Sequence, residues 1–377
     1  MIKNFLDCVD IVGKSPERFN DVKKYVSTGA VNFNKIDEKQ VEFVNYEDKP
    51  SRANLEAESG DILFAKMQNT TKTLKIDEKN QNYIFSTGFF AVRPRKQVIS
   101  HSCLYHILCS EYFLQQKDKN CSGATQKAIT NSGLTKININ IPDTDIQDAI
   151  TAQLDKIDFL SCVRRKQLEK LEELVKSRFI ELFGDPINPK KRRILGDIAL
   201  LERGRFSPRP RNDPKYYNGE YPFIQTGDIA NSGHRLSKYK QTLNDDGIKV
   251  SKKFSPGTIV IAIVGATIGA TAILEREVYA PDSIIGITVN NSQYDAIFLE
   301  TLLQFWQPEL HRIAPESARA NINLAILNNI PIIDVGITKQ KEFVEFIKKV
   351  DETKYEVHKS IEKLETLKNV LMQKYFG

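Results

Sequence analysis

Four residues in one short apolar stretch, His101, Cys103, His106 and Cys109, are of types that could bind a metal. Zinc sites use such ligands, but usually as two separated pairs. Here they alternate with Leu104, Tyr105, Ile107 and Leu108 in what reads as a single apolar helix, so core packing is the expectation. Glu47-Asp48-Lys49 and Asp77-Glu78-Lys79 imitate the acid-x-Lys half of a nuclease site. A chain rich in Lys and Glu produces such triplets by chance, and both read as surface loops. Gly265-Ala266-Thr267-Ile268-Gly269-Ala270 follows a strand-like run. It lacks the Lys-Ser/Thr of a phosphate-binding loop and does not fit GxGxxG, so it reads as a tight bend with close backbone packing. Neither Asn-Pro-Pro-Tyr nor Asp-Pro-Pro-Tyr, the mark of an amino-methyltransferase, occurs in the chain. No catalytic residue and no metal site is legible.

The chemistry that remains is binding. After Gly184-Asp185-Pro186-Ile187-Asn188-Pro189 comes a basic run, Lys190, Lys191, Arg192 and Arg193, followed by Arg203, Arg205, Arg209 and Arg211. Only Asp197 and Glu202 offset it. The later arginines are interleaved with Phe206, Ser207, Pro208 and Pro210, which would present the guanidiniums from a stiff extended loop. Arginine suits phosphates and guanine edges through paired hydrogen bonds. The alternative is a solvated basic loop with no ligand.

The elements that would position this loop come from a repeat. Residues from about Ile146 to Gly184 recur from about Lys339 to Gly377, and the closing pairs Phe183-Gly184 and Phe376-Gly377 lie 193 residues apart. At that offset Leu168 meets Ile361, Leu171 meets Leu364, Leu174 meets Leu367, Asp158 meets Asp351 and Gln147 meets Gln340. The register holds without a gap back to Ile129 and Ile322. Apolar residues at Ile150, Leu154, Ile157, Leu168, Leu171, Val175 and Leu182, and at Phe343, Ile347, Val350, Val357, Ile361, Leu364 and Leu371, step by threes and fours. That is helical spacing with a coiled-coil seam. Each helix would be about 57 Å long. So narrow an apolar stripe needs a partner, and the nearest partner is the other copy. Ser161, Arg164, Lys354 and Lys368 fall on the seam, where polar residues can fix register.

The rest of the chain fits between these helices. Its 377 residues allow two or three domains, and 41% hydrophobic with 27% charged is ordinary for a folded chain. The net charge of +6 permits nucleic acid without requiring it. No apolar run approaches 18 residues and no signal-like core follows Met1, so a cytoplasmic protein with no membrane span is expected. Five cysteines without CxxC spacing read as reduced thiols. The expected order is a domain over 1–143, a helix over 144–184, a domain over 185–334 and a helix over 335–377. Landmarks repeat between the domains. Pro256-Gly257-Thr258-Ile259-Val260-Ile261-Ala262 stands where Ser59-Gly60-Asp61-Ile62-Leu63-Phe64-Ala65 stood, and Tyr279-Ala280-Pro281-Asp282-Ser283 near Tyr83-Ile84-Phe85-Ser86-Thr87. In the first domain Val41–Val44 and Tyr83–Val92 read as strand regions, the latter interrupted at Ser86-Thr87-Gly88, and His101–Leu114 as helix.

Two globular domains alternating with two repeated long helices resemble the DNA-specificity subunit of Type I restriction–modification enzymes. The motifs agree along the whole chain. Gly60-Asp61-Ile62-Leu63-Phe64-Ala65-Lys66, Phe85-Ser86-Thr87-Gly88-Phe89-Phe90 and Gly123-Ala124-Thr125-Gln126-Lys127-Ala128-Ile129 look like one target-recognition domain. Phe223-Ile224-Gln225-Thr226-Gly227-Asp228-Ile229 and Ile263-Val264-Gly265-Ala266-Thr267-Ile268-Gly269 look like another. Ala318-Arg319-Ala320-Asn321-Ile322 departs from the pattern, lacking a counterpart of Gln126, so no role passes from Gln126 to Arg319.

The resemblance implies an α+β fold: two globular α/β-mixed target-recognition domains alternating with two long helices paired as an antiparallel coiled coil, pseudo-twofold. Each domain would read one half of a split site in double-stranded DNA. The helices would set the spacer and dock two methyltransferase (M) subunits, with motor–nuclease (R) subunits outside them. The chain itself would be non-catalytic and hold no cofactor. S-adenosylmethionine, ATP and Mg would belong to the partner subunits. The expected DNA contacts are Arg203, Arg205, Arg209, Arg211, Lys66 and Lys127. The expected partner contacts are Leu168, Leu171, Leu174, Ile361, Leu364 and Leu367. A reading from another class is a coiled-coil scaffold whose globular domains bind proteins, which predicts no salt-dependent DNA binding.

Overall fold

The computed structural model describes residues 1–32, 34–289, 292–314 and 321–377. The chain divides into two compact units, Met1–Gln167 with Val357–Gly377, and Leu168–Glu356. Both long helices are present, Thr144–Phe183 and Ile337–Phe376, and the division falls within each of them. Each unit therefore contains part of each helix.

In the first unit one sheet is ordered Val9–Val12, Phe89–Pro94, Ile62–Ala65, Thr73–Lys75, antiparallel throughout. A second sheet runs Glu42–Val44, Lys23–Val26, Ile84–Ser86, Ala53–Leu55, with a parallel pair at its centre. The second unit repeats both orders. Ala199–Arg203, Ile284–Val289, Ile259–Ala262 and Thr271–Leu274 form the first sheet, extended by Arg235–Leu236. Gln241–Leu243, Tyr217–Phe223, Val278–Ala280 and Lys252–Phe254 form the second, again parallel at the centre. The repeated landmarks in the sequence are these strands. Gly60 and Gly257 both sit at positive φ, +94° and +82°, in the turn that feeds the fully buried strand. That backbone region costs a glycine least.

Helix pairing is antiparallel within each unit. In the first, Asp158 meets Lys368 at 2.6 Å and Arg165 meets Glu365 at 2.8 Å, so one helix advances as the other retreats. Ile150 and Leu154 share a core with Met372 and Phe376. In the second unit Phe179 is fully buried among Phe183, Phe298, Phe305 and Phe343, with ring centroids 5.0–5.5 Å away. A buried Phe of this kind contributes about 3–5 kcal/mol. Near this end the seam differs from the simple heptad expectation. Phe179 and Phe183 turn inward while Leu182 is exposed, because two aromatic rings fill the space beside the packed helix Ala296–Ile313. Two of the seam's lysines find carboxylates: Lys368 on Asp158, and Lys354 at 4.0 Å from Glu172.

The repeated glutamines fasten each globular part to its helix. Gln147 is buried, donates to the Pro142 carbonyl and accepts from the Ser100 amide at 3.1 Å. Gln340 is buried, donates to the Val335 carbonyl and accepts from the Asp295 amide at 2.9 Å. Ser100 and Asp295 are the N-caps of the helices His101–Cys109 and Ala296–Ile313. An amide side chain can satisfy both a donor and an acceptor here, which an apolar residue could not. The helix expected over His101–Leu114 is broken at Ser110. There the hydroxyl accepts from the Phe113 amide and caps a new helix, Glu111–Lys119.

Among the described residues no helix is long and apolar enough to cross a membrane, and no cluster has the makings of a metal site. All five cysteines are free thiols. Burial pushes the Cys103 thiol up to about 12 and Cys109 up to about 11, which leaves both unreactive at neutral pH.

Candidate nucleic-acid interface

The arginine loop leaves the strand Ala199–Arg203 at Gly204. A Cβ on Gly204 would come within 2.2 Å of the Pro281 carbonyl oxygen, so only glycine lets the chain pass this close. The Gly204 and Arg205 amides then donate to the carbonyls of Ile284 and Ala280, pinning the loop's base to the segment Pro281–Ser283. Phe206 anchors the loop from below, buried against Tyr216, Tyr217 and Phe223. Phe206 and Ser251 form an isolated bridge, and the peptide bond before Pro210 is cis.

All four arginines are exposed, yet none projects as a bare charge. The Arg203 Nε donates to the Asp282 carbonyl at 2.7 Å. Arg205 reaches the carbonyls of Ser251 and Lys249 at 3.3 and 3.4 Å. Arg209 folds back on the Phe206 and Pro208 carbonyls and lies 3.8 Å from the Asp282 carboxylate. Arg211 donates to that carboxylate at 2.5 Å. Arg203 and Arg205 are thus held by main chain. Arg209 and Arg211 face a carboxylate that is about one-third exposed, a weak tie that another anion can replace.

In the first unit Lys66 and Lys127 sit on two loops stitched together. The Ile129 amide donates to the Lys66 carbonyl, and the Gln68 amide to the Lys127 carbonyl. Beneath them Lys117 is buried, with its ammonium on the Met67 and Thr70 carbonyls at 2.7 and 3.1 Å and on Asp118 at 2.8 Å. Every residue of Ser122–Lys127 is exposed, and Lys127 faces solvent. Lys66 differs: its ammonium lies 4.4 Å over the Phe90 ring, and partial burial lowers its pKa. The second unit repeats the stitch, with the Ile322 amide donating to the Ile263 carbonyl and Asn321 bridged to Val264. Gly265–Thr267 is the tight bend expected there, and Gly269 lies against Gln307. The departure at Ala318-Arg319-Ala320 lies outside the described residues.

Of the six helix residues expected to meet partners, Ile361 is closed within the chain at 8% exposure. Leu168, Leu171 and Leu364 are half-buried. Leu174 and Leu367 are open, at 47% and 49%. The same helical register therefore serves two purposes, pairing at some turns and an apolar outer face at others.

One polar cluster had no signal in the sequence. His106 is buried, and its Nε2 lies 2.9 Å from Asp155 Oδ1 on the long helix. Ser102 donates to Asp155 Oδ2 at 2.5 Å, and Lys75 lies 3.2 Å from Asp155. The serine bonds the aspartate and not the histidine, so nothing activates it as a nucleophile. The cluster joins the globular part to the helix. The His106 contact, then Ser102 and Lys75, hold the Asp155 carboxyl well below the usual carboxylate range. Asp155→Ala leaves a fully buried imidazole nitrogen without its partner, and we expect a loss of about 1–3 kcal/mol by chemical denaturation at pH 7. A depressed carboxylate pKa stabilises above its unfolded value and is lost as pH falls through the folded one. The gap between the two proteins should therefore persist to about pH 4 and close only below it.

The fold and its loops define a class: duplicated α+β units built on an antiparallel helix pair, each presenting diverged loops. A family model for the Type I restriction modification DNA specificity domain matches residues 9–173 and 189–368, and the chain belongs to that family. The Type I restriction enzyme HindI specificity subunit of Haemophilus influenzae is 27% identical over 185 residues, 47% of this chain and 39% of that protein. The match thus spans well under half the length of this curated relative. Among solved structures, a chain from work on complex assembly and conformational transition of the type I R-M system is 18% identical with a TM-score of 0.55, covering 100% of this chain and 97% of that one. The S subunit of the M. genitalium Type-I restriction-modification system is 14% identical with a TM-score of 0.55, covering 100% and 96%. At these identities the likeness is one of fold.

Proposed function

We propose that this chain is the DNA-recognition subunit of a Type I restriction–modification complex, working in the cytoplasm. Each globular domain reads one half of a bipartite duplex site, and the paired helices set the spacer. Two methyltransferase subunits dock on the helices and domains, motor–nuclease subunits join outside them, and S-adenosylmethionine, ATP and Mg belong to those partners. The observation that carries this reading is the duplication itself. The sheet orders and the glutamine fastenings repeat, while the loops that would meet DNA differ: an arginine loop in one unit, and Lys14-Ser15-Pro16-Glu17-Arg18 after the corresponding strand Val9–Val12 in the other. Family membership across both halves supports it further.

DNA contacts are assigned to Arg209, Arg211 and Lys127 as the reachable charges, with Arg203, Arg205 and Lys66 shaping the same loops. The purified chain should transfer no methyl group from S-adenosylmethionine to DNA. With its methyltransferase partner it should bind duplex with an affinity that falls steeply as salt rises. Methyl transfer by the chain alone, or binding indifferent to salt, contradicts the proposal.

A further inference from the structure

The run from Arg203 to Arg211 contains four arginines and no acid. Its counter-charge comes from elsewhere in the chain, and largely from one residue. Asp282 takes Arg211 on its carboxylate at 2.5 Å, has Arg209 at 3.8 Å, and takes Arg203 on its main-chain carbonyl at 2.7 Å. Lys249, Ser251, Phe206 and Pro208 contribute only neutral carbonyls.

Asp282 is rigidly placed. It lies between the strands Val278–Ala280 and Ile284–Val289, and the Gly204 and Arg205 amides clamp both sides of its segment. A carboxylate and a phosphate offer a guanidinium the same acceptor geometry. The Arg211 fork cannot serve both in one place. Arg211 is about half exposed at 48% and Asp282 about a third at 34%, so water screens the pair and a phosphate can displace the carboxylate.

We propose that Asp282 is an internal competitor for DNA. Its carboxylate occupies the place of a backbone phosphate on Arg211 and Arg209, so that duplex engages this loop by exchange of one anion for another. The consequence is weaker sequence-independent binding by a chain whose net charge is +6. The inference rests on the reading of the arginine loop as a DNA contact, and its test separates the two.

The test measures binding of a random-sequence 30-base-pair duplex to the full chain, assembled with its methyltransferase partner, across a salt series. Asp282→Asn keeps the size and the main-chain carbonyl and removes the charge. It should tighten binding about three- to tenfold at physiological salt and steepen the salt slope by about one, because no displaced carboxylate is left to take up a cation when the arginines move to phosphate. Asp282→Glu keeps the charge and should leave the slope as it was. Adding Arg209→Gln and Arg211→Gln to Asp282→Asn should erase the gain. If melting shows that Asp282→Asn does not fold, Asp282→Ser takes its place with the same expectation. Unchanged or weaker binding by the neutral variant, while Arg209→Gln with Arg211→Gln in the native background weakens binding, overturns the competitor and leaves the loop as a DNA contact. If the two arginine substitutions also change nothing, both readings fall.

Discussion

Replacing Arg209 and Arg211 with alanine should lower duplex affinity at physiological salt by about ten- to a hundredfold, which corresponds to the loss of one base-reading side chain at on the order of 1–3 kcal/mol. Side chains that meet phosphate would instead lower the salt slope, by about one each. The two outcomes are distinguishable. A base contact relaxes one position of the recognised sequence, whereas a phosphate contact weakens all sequences alike. Melting should be little altered, because both guanidiniums are about half exposed. Arg203 and Arg205 should behave differently. Their guanidiniums brace the carbonyls of Asp282, Ser251 and Lys249, so alanine there should disturb the loop's shape as well as its charge. The four-fold alanine variant should therefore lose the most, with a slope reduced by about two, because Arg209 and Arg211 are the charges that reach the duplex. Binding that is unchanged across the salt series would make this loop solvated surface and nothing more.

The second large effect concerns the helices as a ruler. About four residues inserted near Lys166 and again near Ser360 add one turn to each helix and keep the paired faces nearly in phase. Both positions fall at the end of the first unit's paired stretch, just beyond the Arg165–Glu365 contact. The added rise is about 6 Å. A base pair advances about 3.4 Å, so the half-sites should separate by one or two base pairs. Each added pair also turns the duplex by roughly 35°, which sets an upper limit on what the complex can follow. The bases within each half-site should stay as they were, since neither set of loops is touched.

The long helices were legible because their signal is periodic and doubled. Leu168, Leu171 and Leu174 recur as Ile361, Leu364 and Leu367, and no local accident produces that over so long a stretch. The strand landmarks were legible for a related reason. A glycine before a buried apolar run, Gly60 or Gly257, is a turn that few other residues can make. The pairing of Gln147 with Gln340 was visible in the sequence, but not its purpose, which depends on the Ser100 and Asp295 amides far from it along the chain. The arginine run was visible and its partner was not. Asp282 lies 71 residues from Arg211, and only the sheet brings them together. His106 and Asp155 were hidden in the same way. Local pattern carried the elements, while the charge partners depended on tertiary contacts that leave no periodic trace. At Phe179 and Phe183 even the pattern yielded, because aromatic packing moved the seam by a residue.

The central claim, that one chain reads two unlike half-sites at a set distance, is tested most directly by mapping methylated bases across a genome exposed to the assembled complex. The account predicts a single bipartite motif with two different halves and a constant gap. For the complex carrying the two helix insertions it predicts the same halves with the gap longer by one or two base pairs. A continuous motif, or halves that change while the gap stays fixed, would contradict it.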